Sequence, residues 1–360
     1  QALDSKITEL RAQPEGEDGQ DVTSGSVVML DVKTGGVLVC ASWPGYDLSR
    51  YYADYEEISS NPDKPLFNRA LYGAFPCGST MKPGVALAAL TEGTINRNST
   101  PYYCNRFYDY FGEGNELKCL GYHGNANVIY ALQESCNVFF YEVGRLLGIN
   151  KMNQYSELYG LGQKTGIEIG ESTGILAGPA QRSAAGGIWT AGDTVQAAIG
   201  QSDNAFTPIQ LAAYTMTIAN DGVRYKTHLV DSIHHYDGTV EKIEPEVAAR
   251  VSFTQEAIDA VREGMIRVVT DGTASSAFSR GNVGYTVAAK TGTAQNSTNR
   301  SDHGTFIAYA PVEDPEVAIA VVMENGTSRP AADVGRAVLD AYFAAKTQSQ
   351  GPTAPGELLP

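Results

Sequence analysis

Basic residues are in short supply. The 360 residues carry 26 Lys and Arg against 41 Asp and Glu, a net charge of −15. A surface that grips phosphate needs clustered cations, so this balance argues against nucleic acid and against a polybasic membrane-surface patch. Long apolar runs are missing too. The longest, residues 317–323, is strand-length, well short of the ~18–20 residues of a membrane span. No repeat of solenoid period is present. The chain opens Gln1-Ala2-Leu3, without an initiator Met or a signal peptide, and is expected to be the processed part of something longer. Five cysteines is an odd number, which speaks against a pure disulfide framework. What the chain has in quantity is apolar side chain, 42% of residues, enough for a large buried core in one big domain or two ordinary ones.

The pattern along the chain orders the elements. Residues 1–25 are polar and rich in Gly, Asp and Glu, an N-terminal remnant or linker in which Ile7 and Leu10 would suit a short helix. Residues 26–31 and 37–42 are apolar runs about Lys33-Thr34-Gly35-Gly36 and read as a β-hairpin. Residues 43–78 read as loops. Apolar spacing predicts helices over 80–91, 125–147, 207–220 and 254–269. Pro83 and Pro208 fall in first turns, where a missing N–H costs nothing. Strands are expected over 285–295, 305–312 and 317–325, then a helix over 331–345 and a Pro/Gly-rich tail over 347–360. Short links favour antiparallel pairing. The expected fold is therefore α+β. A five-stranded antiparallel sheet has its first hairpin beside its last three strands and helices on its faces. The domain spans 26–346, with a largely helical subdomain inserted at about 45–280.

Three elements carry chemistry. In Ser79-Thr80-Met81-Lys82 the Ser and Lys are three apart on a helix and share a face, so the amine can reach the hydroxyl. A serine needs such a base, and a desolvated lysine can be neutral enough to serve. Alone the spacing is weak, arising about once per 240 residues at average usage. Ser135-Cys136-Asn137 offers a hydroxyl and an amide to one pocket. Lys290-Thr291-Gly292-Thr293 combines positive charge, hydroxyls for a carboxylate, and a glycine that lets an extended peptide approach the strand. Rivals exist: Lys-Thr-Gly recurs at 33–35 and 164–166, and Ser202-Asp203-Asn204 and Ser59-Ser60-Asn61 compete with 135–137. Only Lys290 has strand pattern on both sides, and 135–137 is flanked by apolar helices, whereas Ser202 sits in a turn-like loop.

Ser-x-x-Lys, Ser-x-Asn and Lys-Thr-Gly in this order form the pattern of β-lactamases and penicillin-binding proteins. Residues 73–83, GAFPCGSTMKP, resemble the nucleophile segment of class B penicillin-binding proteins, which usually have Pro where this chain has Cys77. Residues 31–38, 207–212 and 290–295 match as well, so the resemblance runs over about 25–345 and is closest to the elongation type. It implies a serine D,D-transpeptidase that cross-links peptidoglycan, lacking here its membrane anchor and N-terminal pedestal. By that resemblance Ser79 attacks the D-Ala-D-Ala donor, Lys82 is the base, and Ser135 and Asn137 relay protons and position the peptide. The N–H groups of Ser79 and Thr293 form the oxyanion hole, and Lys290, Thr291 and Thr293 hold the donor carboxylate. An amine of a second stem peptide is the acceptor, β-lactams trap Ser79, and no cofactor is needed for the chemistry. A polytopic membrane glycosyltransferase is the implied partner, at the extracytoplasmic face of a bacterial membrane. Alternatives of the same fold are a serine β-lactamase, for which Glu168 or Glu171 would have to activate water, and a D,D-carboxypeptidase. A non-catalytic wall-synthesis scaffold would be expected to have lost a motif.

Cys104, Cys119, His123 and Cys136 supply four ligands, enough for a closed tetrahedral zinc site, and relatives of the elongation type include members with zinc in this segment. The other arrangement is a Cys104–Cys119 disulfide, with Cys136 a small buried residue and His123 a loop contact. Trp43, Trp189 and the tyrosines of 102–110 read as packing, and His303 as a residue near the site without a direct role.

Overall fold

The computed structural model describes residues 1–279, 283–294 and 300–349. Gln295, expected at a strand end, and the tail over 350–360 lie outside the described residues. β1 (Ser24–Asp31) and β2 (Val37–Trp43) form the opening hairpin, while β3 (Ala288–Ala294), β4 (His303–Ala310) and β5 (Val317–Glu324) come last. The strands make one antiparallel sheet in the order β2-β1-β5-β4-β3. β1 runs beside β5 from Ser24↔Glu324 to Asp31↔Val317, so the two ends of the chain are stitched together as expected. β3, which carries Lys-Thr-Gly, is left at an edge.

Alternation along the strands separates two cores. Val28, Leu30, Ile307, Tyr309 and Ala320 face the helical subdomain. Val27, Met29, Phe306, Ile319 and Val321 face the opposite way. Both faces are covered, which is why β5 reads as a continuous apolar run. The second face is closed by α1 (Ala2–Arg11) and by α7 (Ser328–Ser349), which also packs on β4 and β5. The stretch expected as a linker thus contributes a packed helix. Leu3, Ile7 and Leu10, spaced i, i+4, i+7, form one buried stripe.

The helical subdomain packs against the first face of the sheet. The helix expected over 80–91 is a 3₁₀ turn, Gly78–Met81, running into α2 (Lys82–Thr91). The helical pattern over 125–147, with 135–137 flanked by apolar helices, is two helices, α3 (Val128–Gln133) and α4 (Asn137–Leu147), each with its own N-cap. Asn127 accepts from Tyr130 N, and the Cys136 thiol accepts from Phe139 N at 3.5 Å. α5 (Pro208–Ala219) is buried along all twelve residues, opens on a Thr207/Gln210 capping box and lies on β1 and β5. α6 (Gln255–Thr270) packs on α3 and β3. The loop region 43–78 contains short helical segments at Leu48–Arg50, Tyr55–Ser60 and Arg69–Tyr72. Three two-stranded ladders decorate the subdomain. Among the described residues no helix is long and apolar enough to cross a membrane.

One contact ties α5 to the start of α2. The Tyr214 hydroxyl, fully buried, accepts from Gly84 N at 2.7 Å and donates to Thr80 O at 3.1 Å. Gly84 N belongs to the first helical turn, where backbone donors lack intrahelical partners. Tyr214→Phe removes that partner without changing the ring. It is expected to cost about 1–3 kcal/mol, read as a lowered midpoint in chemical denaturation. An unchanged midpoint would show the hydroxyl to be dispensable.

Candidate active site

The nucleophile turn is shaped by its neighbours. Gly78 has φ +53°, open to glycine at little cost, and a side chain there would overlap the carbonyl of Thr293 on β3. Gly78 N donates to Gly200 O at 3.0 Å, so the turn is wedged between edge strand β3 and the loop before α5. The Cys77 carbonyl takes the hydroxyls of Thr80 (2.8 Å) and Thr305 (2.9 Å). Burial pushes the Cys77 thiol up to about 12, so it remains a protonated packing group. Gly292 is where β3 passes closest: a Cβ would overlap Thr305 Oγ1 and crowd the Cys77 carbonyl. Ser79 lies half-buried on this turn, and the 3₁₀ geometry stacks residues i and i+3, placing Lys82 on its face.

The second and third elements converge on Lys82. Its fully buried Nζ donates to Ser135 O and Asn137 Oδ1, both at 2.7 Å, and stands 3.2 Å from Ser135 Oγ. Ser135 occupies the break between α3 and α4 with φ +57°, an unusual conformation for serine that turns its carbonyl and hydroxyl to the same amine. From the far side Lys290 Nζ, also fully buried, donates to Ser135 Oγ and to Thr291 O, both at 2.9 Å. One hydroxyl therefore joins two buried amines. Burial pushes Lys82 down to about 8. Burial, and next the charge of Lys82, lower Lys290 well below the usual lysine range. Two hydrogens on Lys82 satisfy Ser135 O and Asn137 Oδ1, which leaves a lone pair in the neutral amine to take a proton.

Of the residues predicted from the three motifs, Lys82, Ser135, Asn137 and Lys290 are joined by hydrogen bonds, while Ser79 lies on the adjoining turn and Thr291, Gly292 and Thr293 on the strand packed against that turn. The rivals are engaged in their own loops. Asp31 caps the N–H groups of Lys33 and Thr34. Thr165 bonds Glu171 and Thr227. Ser202 bonds Arg182 and Asp193, and Ser60 bonds Glu56 O. Tyr108 is core, donating to Glu142, and Trp43 and Trp189 bond Asp4 and Thr194. His303 accepts from Asn325 N at 3.1 Å and holds a turn. Two neighbours of the site carry no motif and went unread in the sequence. Gln201 Nε2 reaches Thr293 O at 3.4 Å, and Thr273 lies against Thr291. Each meets β3 from a distant segment, and no local pattern announces such contacts.

The cysteine–histidine cluster abuts the same break. The donor atoms of Cys104, Cys119, His123 and Cys136 lie within 4.8 Å of one another. His123 Nδ1 is 3.4 Å from Cys104 Sγ and 3.5 Å from Cys119 Sγ. The five cysteines are free, so the Cys104–Cys119 disulfide is not formed. Asn137 N donates to Cys119 Sγ at 3.2 Å, which links the cluster directly to the residue that holds Lys82. Hydrogen bonds from Cys136 and His123 hold the Cys119 thiol well below the usual range.

A helix-covered antiparallel sheet with Ser-x-x-Lys at its junction with a helical subdomain defines the penicillin-recognising class of serine folds. Residues 25–342 match the penicillin binding protein transpeptidase domain, and the chain belongs to that family. It is 32% identical over 362 residues to the peptidoglycan D,D-transpeptidase MrdA of Acinetobacter baumannii, covering 92% of this chain and 52% of that protein. The chain thus spans about half the length of this curated relative. A structure described as the coordination of polymerization and crosslinking by a peptidoglycan synthase complex superposes with TM-score 0.82 at 26% identity. That match covers 98% of this chain and 61% of the other. The imipenem acyl-enzyme of penicillin-binding protein A from M. tuberculosis superposes at 0.76 and 26% identity, covering 95% of this chain and 78% of the other.

Proposed function

We propose that the chain is the catalytic part of a serine D,D-transpeptidase that cross-links peptidoglycan stem peptides and is inhibited by β-lactams. The observation that carries this reading is the Ser135 hydroxyl between two buried lysines, beside a serine on a rigid turn. Lys82 takes the proton from Ser79 Oγ as it attacks the carbonyl between the two D-Ala residues of the donor. The oxyanion points to the N–H groups of Ser79 and Thr293, each donor worth about 3–4 kcal/mol in such sites. The C–N bond then breaks, and the proton returns through Ser135 to the departing D-Ala amine. An acceptor amine next attacks the Ser79 ester, gives up a proton to Lys82, and restores the serine hydroxyl. Lys290, without exposed surface, supports the donor carboxylate through its field, while Thr291 and Thr293 offer hydroxyls.

The β-lactamase alternative is weakened by its two candidate acids. Glu171 accepts from Thr165 N, Thr165 Oγ1 and Gly166 N, and Glu168 from Leu229 N and Val230 N. Both carboxylates pin loops, which favours a long-lived acyl-enzyme. The relative described as a synthase complex, together with the half-length match, favours a full protein anchored at the extracytoplasmic face of the membrane. Its partner there would be a polytopic glycosyltransferase.

The cluster of three thiols and one imidazole fits a structural zinc ion. Tetrahedral Zn–S bonds of about 2.3 Å need such a close donor group, and the N–H of Asn137 already supports the Cys119 sulfur. Cys104, Cys119, His123 and Cys136 would hold the ion, which would brace the loop against the 135–137 break and take no part in the chemistry.

Incubation with benzylpenicillin, followed by intact mass, is expected to give one persistent penicilloyl adduct that Ser79→Ala abolishes. An adduct lost as drug is hydrolysed would turn the reading to a β-lactamase, and none at all to a scaffold. The acylation rate constant should rise with pH through about 8, tenfold per unit on the acid side, because the depressed Lys82 reacts as the free amine. A profile flat from pH 6 to pH 9 would remove Lys82 as the base. Metal analysis of protein prepared without chelator is expected to find one zinc per chain, with three thiols released on chelation. No zinc and a pair of thiols titrating only after reduction would restore the disulfide.

A further inference from the structure

We infer that Thr273 is a substrate-positioning residue: its hydroxyl orients that of Thr291 toward the donor's terminal carboxylate. The inference rests on the transpeptidase reading and extends it to a segment that none of the three motifs contains.

Thr291 stands on edge strand β3 with only 5% of its surface exposed. The buried lysine beside it bonds its carbonyl and leaves its hydroxyl free of that amine. That hydroxyl lies 2.6 Å from Thr273 Oγ1. Thr273 itself is exposed, on the turn that follows α6.

The turn has no room to retreat. A Cβ on Gly272 would sit 2.5 Å from Gln133 O and 2.9 Å from Arg267 O, so the backbone is pressed between the end of α3 and the end of α6. Ala274 N donates to Val268 O at 2.9 Å and closes the turn from the other side. Gln133 lies two residues before Ser135. The same wedge therefore sets the distance from the 135–137 break to the Thr273 hydroxyl.

The chemistry follows from counting protons. A carboxylate only accepts, and each threonine hydroxyl has one proton to donate. When Thr273 donates to Thr291 Oγ1, the proton of Thr291 is left free for a second acceptor. Two hydroxyls in series then present one donor to a charged acceptor, and hydrogen bonds to charged groups are the stronger kind. The nearby field of Lys290 favours the same anion.

The test compares benzylpenicillin with its methyl ester, which keeps the reactive ring and removes the negative charge. Acylation rates are measured for the unmodified chain, Thr273→Val and Thr273→Ser. Thr273→Val is expected to slow acylation by benzylpenicillin about tenfold and acylation by the ester less than about twofold. Thr273→Ser, which keeps the hydroxyl, should restore the acid's rate. Equal slowing of acid and ester would make Thr273 a purely structural residue, and no slowing of either would remove it from recognition; both overturn the inference. Failure of the unmodified chain to acylate with either compound is a separate result, which would overturn the transpeptidase reading and this inference with it.

Discussion

Two lysine amines buried without exposed surface, sharing the hydroxyl of Ser135, are the constraint on which the rest depends. Burying an ammonium is expensive unless donors and charge are both provided for. Here the amine of Lys82 bonds Ser135 in the break and Asn137 at the start of α4, and Lys290 reaches the same hydroxyl from the sheet. The arrangement persists only if three segments far apart in the chain are held rigidly. The turn carrying Ser79 is clamped by Gly78 against Thr293 and Gly200, the break by the Cys136 cap, and β3 by its full pairing with β4. The lowered lysines are the electrostatic result of that packing.

The cysteine cluster belongs to this constraint. Cys136 sits between Ser135 and Asn137, and Cys119 receives the N–H of Asn137, so the cluster and the catalytic break share backbone. A left-handed serine is a strained choice that surrounding structure must over-determine. On one side α4 begins under the Cys136 cap, and on the other the cluster draws residues 104–123 against it.

The legible parts of the fold were those with local causes. Strand and helix identities followed from apolar period, and the prolines 83 and 208 marked first turns where helices start. The three motifs were readable because each is contiguous, and the preference for Lys290 over the other two Lys-Thr-Gly runs rested on strand pattern that β3 displays. The turn at 135–137 between two apolar helices was readable, whereas the left-handed φ of Ser135 that turns its carbonyl and hydroxyl to Lys82 was not, since no local pattern demands it. The role of the first helix was missed for a related reason: three apolar residues in a polar stretch become a core stripe only when α7 and β1 lie beneath them.

By itself the sequence determined which side chains are available for chemistry and the secondary elements that carry them, because propensity, periodicity and i, i+3 spacing act over a few residues. Tertiary structure decided the rest. It set which of several Ser, Lys and Thr groups come within hydrogen-bond reach, which lysines lose their water, and that Thr273 and Gln201 stand beside strand residues that follow them by 18 and 92 positions in the chain. Desolvation and close contact are properties of a packed interior, and they arise only when distant segments exclude water together.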